Sequence, residues 1–303
     1  MTRKSAKRRQ LTALQIHTFA DSARFGGQVA RGLRAALVPV EVHRFPDGES
    51  LVQVRMPVTR HAVLVRSLHD PNAKLVETVL AADALRRAGA RRVTLVAPYL
   101  PYMRQDTVFA PGQPISQRVI GHWLGRAFDG LLTVEAHLHR VRQLSEVIAG
   151  DARSLGAAPV LAEWVRRSGK GCLVVGPDAE SEPWVRAIAR AADAPWVVGA
   201  KQRLHDRVVR ISFPEPPACR RAVIVDDIAS TGATLAAAAR ALRRSGVRVV
   251  DALVVHAIFA PGALRRIRAA GVRRIVSCDT IPHPTNAIHC APLVAAALKE
   301  MLP

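Results

Sequence analysis

Residues 222–235 read AVIVDDIASTGATL. An apolar, β-branched run ends in two adjacent carboxylates, Asp226 and Asp227. A short loop of small and hydroxyl residues follows, and a helical pattern opens at Thr231. A strand buried on both faces reads as this kind of continuous aliphatic run. Open α/β sheets bind ligands beyond the carboxyl ends of their strands, where the two acids stand. The first N–H groups of a helix have no intrahelical partner and carry the positive end of its dipole, so a phosphate dianion settles there. Small residues let the backbone approach such an anion, and the hydroxyls of Ser230, Thr231 and Thr234 add donors beside Gly232 and Ala233. The twin acids can accept hydrogen bonds from sugar hydroxyls. An ordinary capped helix after a strand is the plainer reading, but a double Asp beside Thr-Gly-x-Thr argues against it. No Gly-Lys-Ser/Thr follows, so the loop is not of the Walker A kind.

Outward from this stretch, short aliphatic runs alternate with helical patterns. Strands are expected over 62–67, 92–97, 131–135, 172–176, 221–226, 248–257 and 273–277. Helices are expected over 73–89, 116–128, 159–168, 181–192, 231–245, 261–270 and 291–302. In the first of these helices, Leu75, Val76, Val79, Leu80, Ala84 and Leu85 share one face. The βαβ rhythm implies parallel sheets covered by helices on both faces. It restarts after the small-residue stretch 150–159 (GDARSLGAAP). The expectation is therefore α/β, with two doubly wound parallel-sheet domains at 11–153 and 154–290. A disordered basic tail would occupy 1–10, and the final helix, 291–303, would pack on the first domain. A charged stretch at 199–210 interrupts the second series as a hairpin or a mobile flap.

The chain has 303 residues, with 44 Lys and Arg against 24 Asp and Glu, a formal charge of +20. Much of the excess is Arg in last helical turns followed by Gly, as at Arg86, Arg87, Arg243 and Arg244, where cations complement the helix dipole. With charge so dispersed and no aromatic interleaving, nucleic acid is not the main partner; a polyanionic small substrate suits the excess as well. Cys172, Cys219, Cys278 and Cys290 lack metal-ligand spacing and read as free thiols of a reducing compartment. The basic start lacks the apolar core of a signal peptide. No run approaches a membrane span, and a cytoplasmic protein is expected.

The loop at 226–234 resembles the phosphoribosyl-binding loop of the type I phosphoribosyltransferase fold, shared by phosphoribosyltransferases and ribose-phosphate diphosphokinases. Further segments favour the second group. Residues 44–49 (RFPDGE) resemble its adenine-binding segment, which implies that Phe45, Asp47 and Glu49 contact the base of ATP across a subunit interface; alone, Pro-Asp-Gly reads as a β-turn. Residues 98–106 (PYLPYMRQD) resemble Pro-Tyr-x-x-Tyr-x-Arg-Gln-Asp and imply that Arg104 and Gln105 serve ATP. Residues 133–139 (TVEAHLH) resemble Thr-Val-Asp-x-His and imply His137, rather than His139, on the metal side. Residues 174–179 (VVGPDA) resemble the Pro-Asp-Ala-Gly-Gly loop, which implies that Asp178 serves Mg²⁺ and ribose 5-phosphate. Glu180 and Ser181 replace its Gly-Gly, and with glycine the easy left-handed backbone is lost. Residues 201–203 (KQR) resemble the Lys-x-Arg of a catalytic flap. Lys201 and Arg203 there would meet the negative charge that builds in phosphoryl transfer. Residues 280–282 and 291–293 resemble C-terminal signatures, so the resemblance runs from about residue 15 onward. Residues 107–113 lack the Lys and Arg common in regulated members, which implies the shorter, less regulated branch.

The resemblance implies transfer of the β,γ-pyrophosphoryl group of ATP to the 1-hydroxyl of ribose 5-phosphate, with Mg²⁺ as cofactor and a homo-oligomer, dimer or hexamer, as the working form. A catalytically silent regulatory homologue, a phosphoribosyltransferase and a nucleic-acid-binding regulator are the competing readings.

Overall fold

The structure is a computed structural model that describes residues 14–138, 140–169, 171–205, 208–213 and 219–302; for 203–205, 208 and 209 the description extends to the backbone only. The basic tail at 1–10 and His139 lie outside the described residues. The chain divides into two compact units, one running to Leu155 and resuming at Ala291, the other spanning Gly156–Cys290. Each has its own aliphatic core.

The first unit is built on a seven-stranded sheet. In chain order its elements are β1 (Gln15–Phe19), α1 (Ala23–Leu33), β2 (Ala36–Arg44), β3 (Ser50–Val54), β4 (His61–Val65), α2 (Pro71–Arg87), β5 (Arg92–Ala97), α3 (Ser116–Ala127), β6 (Gly130–Val134) and β7 (Asp151–Leu155). The strand order is β3-β2-β1-β4-β5-β6-β7. All pairs are parallel except β2–β3, which run antiparallel through the turn at 45–49. Strands β2 and β3 escape a search for aliphatic runs because they alternate exposed and half-buried residues, as an edge ribbon with one wet face does. Strand β1 escapes it because the buried Gln15, His17 and Thr18 break its apolar run.

Helix α2 presents a different face from the expected one. Leu75 and Leu85 are buried, but Val76 and Leu80 are exposed, while Lys74, Glu77 and Thr78 turn inward. Lys74 and Glu77 belong to an ion network with Asp21 and Arg66, whose hydrogen bonds offset the cost of burying their charges.

The second unit carries α4 (Ala158–Arg167), β8 (Leu173–Gly176), α5 (Glu182–Ala192), β9 (Trp196–Val198), β10 (Ala200–His205), β11 (Val208–Ser212), β12 (Arg221–Ala229), α6 (Ala233–Arg244), β13 (Val249–Ala257), α7 (Ala263–Ala269), β14 (Val272–Cys278) and β15 (Asn286–Ile288). Its six-stranded sheet, in the order β15-β14-β13-β12-β8-β9, is parallel throughout. The charged stretch near 200 is a two-stranded antiparallel hairpin, β10–β11. Its second strand packs against α6, with Ile211 buried.

The decisive stretch departs from expectation at both ends. Strand β12 runs on past the twin acids to Ala229, because β13 continues to pair with it as far as Ala229↔Ala257. Helix α6 starts at Ala233, not Thr231, because Gly232 precedes it in the left-handed conformation (φ 72°). A Cβ there would also sit 2.8 Å from the Ile267 side chain, so glycine is required on both counts. The chain closes with α8 (Ala291–Met301), which packs on α1.

Candidate active site

In the second sheet, β8 leads through α5 to β9 on one flank, and β12 lies on the other. The β8/β12 boundary is therefore the switch point at which such sheets bind ligands. The pairing creates an opening there. Strand β8 accompanies β12 only as far as Ile224↔Val175, so Asp226 and Asp227 lie where β12 has lost one neighbour and kept the other. From β8 the chain passes through Pro177 to Asp178, which leads into a 3-10 turn, Ala179–Ser181.

Three carboxylates and one ammonium meet at this opening. Lys201, on the first strand of the hairpin, donates from Nζ to Asp178 Oδ2 at 2.9 Å. Burial, then the charges of Asp227 and Asp178, push the Asp226 carboxyl well above the usual carboxylate range, with Lys201 pulling the other way. Asp227 Oδ1 accepts from the Ile228 amide at 2.7 Å. The hairpin is tied to the same corner, since the Gly199 amide donates to the Gly176 carbonyl at 2.9 Å. A Cβ on Gly176 would run into Ser181 Oγ and come within 2.8 Å of Val185.

The helix end beyond is open. Gly232 has no side chain to cap α6, and among the described residues the side chain that reaches the first turn is Thr231, its Oγ1 3.4 Å from the Ala233 amide. Thr231 O accepts from Arg266 Nη1 at 2.7 Å, and Ser230 O accepts from the Ala260 amide at 3.1 Å, which fixes the loop from outside. Ser230, Thr231, Gly232, Ala233 and Thr234 thus surround a helix N-terminus that offers free amide donors to an anion.

Glu180 and Ser181 need no left-handed backbone. Neither has a positive φ, and they form a right-handed 3-10 turn whose Ser181 hydroxyl donates to the Asp178 carbonyl. The backbone beside Asp178 is therefore one that ordinary side chains adopt.

The remaining expected residues lie in the first unit. The turn at 45–49 is closed by Phe45 N to Glu49 O (2.8 Å) and Gly48 N to Phe45 O (3.0 Å), with Asp47 Oδ1 accepting from the Glu49 amide at 3.0 Å. It leaves Phe45 42% exposed, its edge against His43. A turn and an exposed aromatic platform are thus the same object. Arg104 is exposed. Gln105 accepts from the Ser116 hydroxyl through Oε1 and from the Gln117 amide through its carbonyl, which ties it to the start of α3. His137 is half-buried beyond the carboxyl end of β6. Arg203 is described only by its backbone, paired with Val209 in the hairpin. Among the described residues, no group of three or more His, Cys, Asp and Glu is placed to hold a metal by itself.

Comparison with known proteins accords with this site. A model of the N-terminal domain of ribose phosphate pyrophosphokinase matches residues 14–127, and one of the phosphoribosyl transferase domain matches 153–291. A ribose-phosphate pyrophosphokinase of Methanopyrus kandleri is 34% identical over 93% of this chain and 97% of its own length. The chain belongs to the ribose-phosphate pyrophosphokinase family. Its members of the same name from Thermococcus kodakarensis and Buchnera aphidicola are 32% and 33% identical over 86% and 85% of the chain and 92% and 83% of their own. The fold is shared with the crystal structure of phosphoribosylpyrophosphate synthetase from Mycobacterium smegmatis (TM-score 0.83, 23% identity, 96% of this chain and 99% of that one).

Sequence reading missed the ion network at the corresponding corner of the first sheet. Arg66 donates to Asp21 at 3.2 Å and to Glu77 at 2.6 Å, and its guanidinium lies 3.8 Å over the Phe19 ring. Lys74 reaches Asp21 at 3.4 Å. The available signal was Arg66, a charged residue inside the otherwise aliphatic run 62–67.

Proposed function

We propose that the chain transfers the β,γ-pyrophosphoryl group of ATP to the 1-hydroxyl of ribose 5-phosphate, giving phosphoribosyl pyrophosphate and AMP. The observation that carries this reading is the meeting of Asp178, Asp226, Asp227 and Lys201 at the β8/β12 switch point beside the open end of α6. Asp226 and Asp227 accept from the ribose hydroxyls. The amides and hydroxyls of residues 230–234 hold the 5-phosphate. Phe45 stacks on the adenine, while Asp47, Glu49, Arg104 and Gln105 supply polar contacts to ATP.

The 1-hydroxyl oxygen bonds to the β-phosphorus as the bond to the α-phosphate oxygen breaks. Lys201 and Arg203 meet the charge on the transferred and departing oxygens, and closure of the hairpin excludes water. The all-oxygen, anion-rich cluster around Asp178 suits a hard divalent ion, and Asp178 and His137 are the side chains we assign to the Mg²⁺ side. When bound, Mg²⁺ neutralises the polyphosphate and holds its oxygens in place. Among the described residues no helix is long and apolar enough to cross a membrane, and the four cysteines are free. Both support a cytoplasmic enzyme; the exposed Phe45 supports a homo-oligomer, dimer or hexamer, in which a second copy covers the nucleotide.

The test is product identification after mixing the protein with Mg²⁺, ATP and ribose 5-phosphate. AMP and phosphoribosyl pyrophosphate in equal amounts are expected. No turnover alone, with altered activity of an active partner, would establish the silent regulator instead.

A further inference from the structure

Glu77 lies at the middle of α2 with its side chain fully buried. Its Oε1 accepts from Arg44 Nε and from Ser50 Oγ, each at 3.0 Å, and its Oε2 from Arg66 Nη2 at 2.6 Å. Arg44 is the last residue of β2 and Ser50 the first of β3. One carboxylate oxygen therefore holds both ends of the turn at 45–49. Strand β3 is the edge of its sheet, supported only by β2 on one side, so the turn has no second neighbouring strand to fix it. An apolar side chain would fill this helix face without the desolvation cost of a buried charge. Only an acceptor with two lone-pair directions on one oxygen can take both strand ends at once.

We propose that Glu77 is a positioning residue for the nucleotide: it pre-organises the turn carrying Phe45, Asp47 and Glu49, so that ATP does not have to order it. This rests on the reading of that turn as the ATP contact. The second oxygen, held by Arg66, keeps the carboxylate itself from turning, and Arg66 is in turn held by Asp21. The aim of the turn is thereby anchored to the carboxyl ends of β1 and β4.

The test uses the full chain and steady-state kinetics in both substrates. Arg44→Met combined with Ser50→Ala removes the two links to the turn and leaves the Glu77–Arg66 pair intact, so folding is preserved. The KM for ATP should rise about tenfold, the scale of two partly exposed hydrogen bonds. The kcat and the KM for ribose 5-phosphate should stay within about twofold. Arg44→Lys on the Ser50→Ala background should recover part of the loss, since an ammonium can still donate to Glu77. Glu77→Gln keeps an oxygen with both lone pairs available to Arg44 and Ser50, so its KM for ATP should rise less than that of the double variant. Phe45→Ala separates the two layers of the argument. If it raises the KM for ATP and the double variant does not, the positioning role is overturned while the turn remains the ATP contact. If it leaves the KM unchanged, the turn is not the contact and the positioning role goes with it. A fall in melting temperature with kcat and both KM values changing together marks Glu77 as merely structural, which also overturns the proposal.

Discussion

Residues 62–67 read AVLVRS and residues 222–227 read AVIVDD. Both begin within a central strand, β4 or β12, and each of those strands stands at the switch point of its sheet. The partner strands, β1 and β8, also match: each leads through an Asp (Asp21 or Asp178) and a 3-10 turn into a helix. The helices after β4 and β12 end alike, ALRRAG at 84–89 and ALRRSG at 241–246. Yet at one corner Arg66 stands where Asp226 stands at the other. The first corner is closed by its own charges, as Arg66 and Lys74 hold Asp21 and Glu77. The second sets three acids against Lys201. One architecture thus carries balanced charges at one corner and an acidic excess at the other.

Lys201→Ala should separate the two corners most sharply. On the proposed reading it removes the cation that meets the charge on the transferred phosphate, and kcat should fall about 10³-fold. The unfolding free energy should change by under about 1 kcal/mol, because the pair with Asp178 is partly exposed. A variant with wild-type turnover in the AMP-release assay would refute the role. Arg66→Ala is the mirror experiment. It takes the closest cation from the buried Glu77, leaving Arg44, and leaves Asp21 with Lys74 alone, and urea denaturation should show a loss of about 3 kcal/mol. Wild-type stability would mean that the first corner is not held by this pairing.

A third measurement concerns pH. His17, on β1, is buried, and burial lowers its pKa to about 4. The unfolded chain takes up its proton near pH 6.5 and the folded chain only near 4, so protons favour unfolding between these values. His17 should therefore contribute a fall of about 3 kcal/mol as pH drops from 6.5 to 4, read as the difference between the wild-type and His17→Leu curves. His61, His69 and His283, also lowered by burial, add to the wild-type fall, and the raised Asp226 opposes it. Asp21 and Glu77 act at lower pH. Burial raises both, but paired cations and hydrogen bonds hold them below the usual range. Their contribution is complete above the unfolded carboxylate pKa and disappears as pH falls through the folded values. Wild-type and His17→Leu curves that run parallel from pH 6.5 to 4 would rule out the neutral buried His17. The smallest effect is expected from Glu180→Gly with Ser181→Gly. Since the native turn is right-handed, kcat should change by less than about threefold; a tenfold change would show that these side chains act on the reaction.

Much of this was legible because aliphatic runs and helical periods announce parallel α/β units regardless of partner. From residue 62 onward that signal gives the longer strands and helices in order, but not the short strands β7, β9 and β15, of which β7 lies in the stretch read as the seam between domains. The site was legible where chemistry is local: Asp226, Asp227 and the loop after them occupy one short stretch. Other features depend on pairing across sequence. Strand β12 extends past its acids only because β13 accompanies it, and α6 begins late because Gly232 must pass Ile267. The inward face of α2 was misread because Glu77 finds its partners at Arg44, Ser50 and Arg66, none of them at helical spacing. Nothing in a window around Glu77 distinguishes it from a solvent-facing acid.

The closing helix has a consequence for biosynthesis. Gly32 of α1 has the Ala295 methyl of α8 2.9 Å from where its own Cβ would be, so the two backbones meet closely at that point. Residues 291–301 leave the ribosome after the whole of the second unit. The unit whose translation begins first is thus the last to be finished, and until then the α1 surface that α8 covers is open to chaperones or to a neighbouring nascent chain.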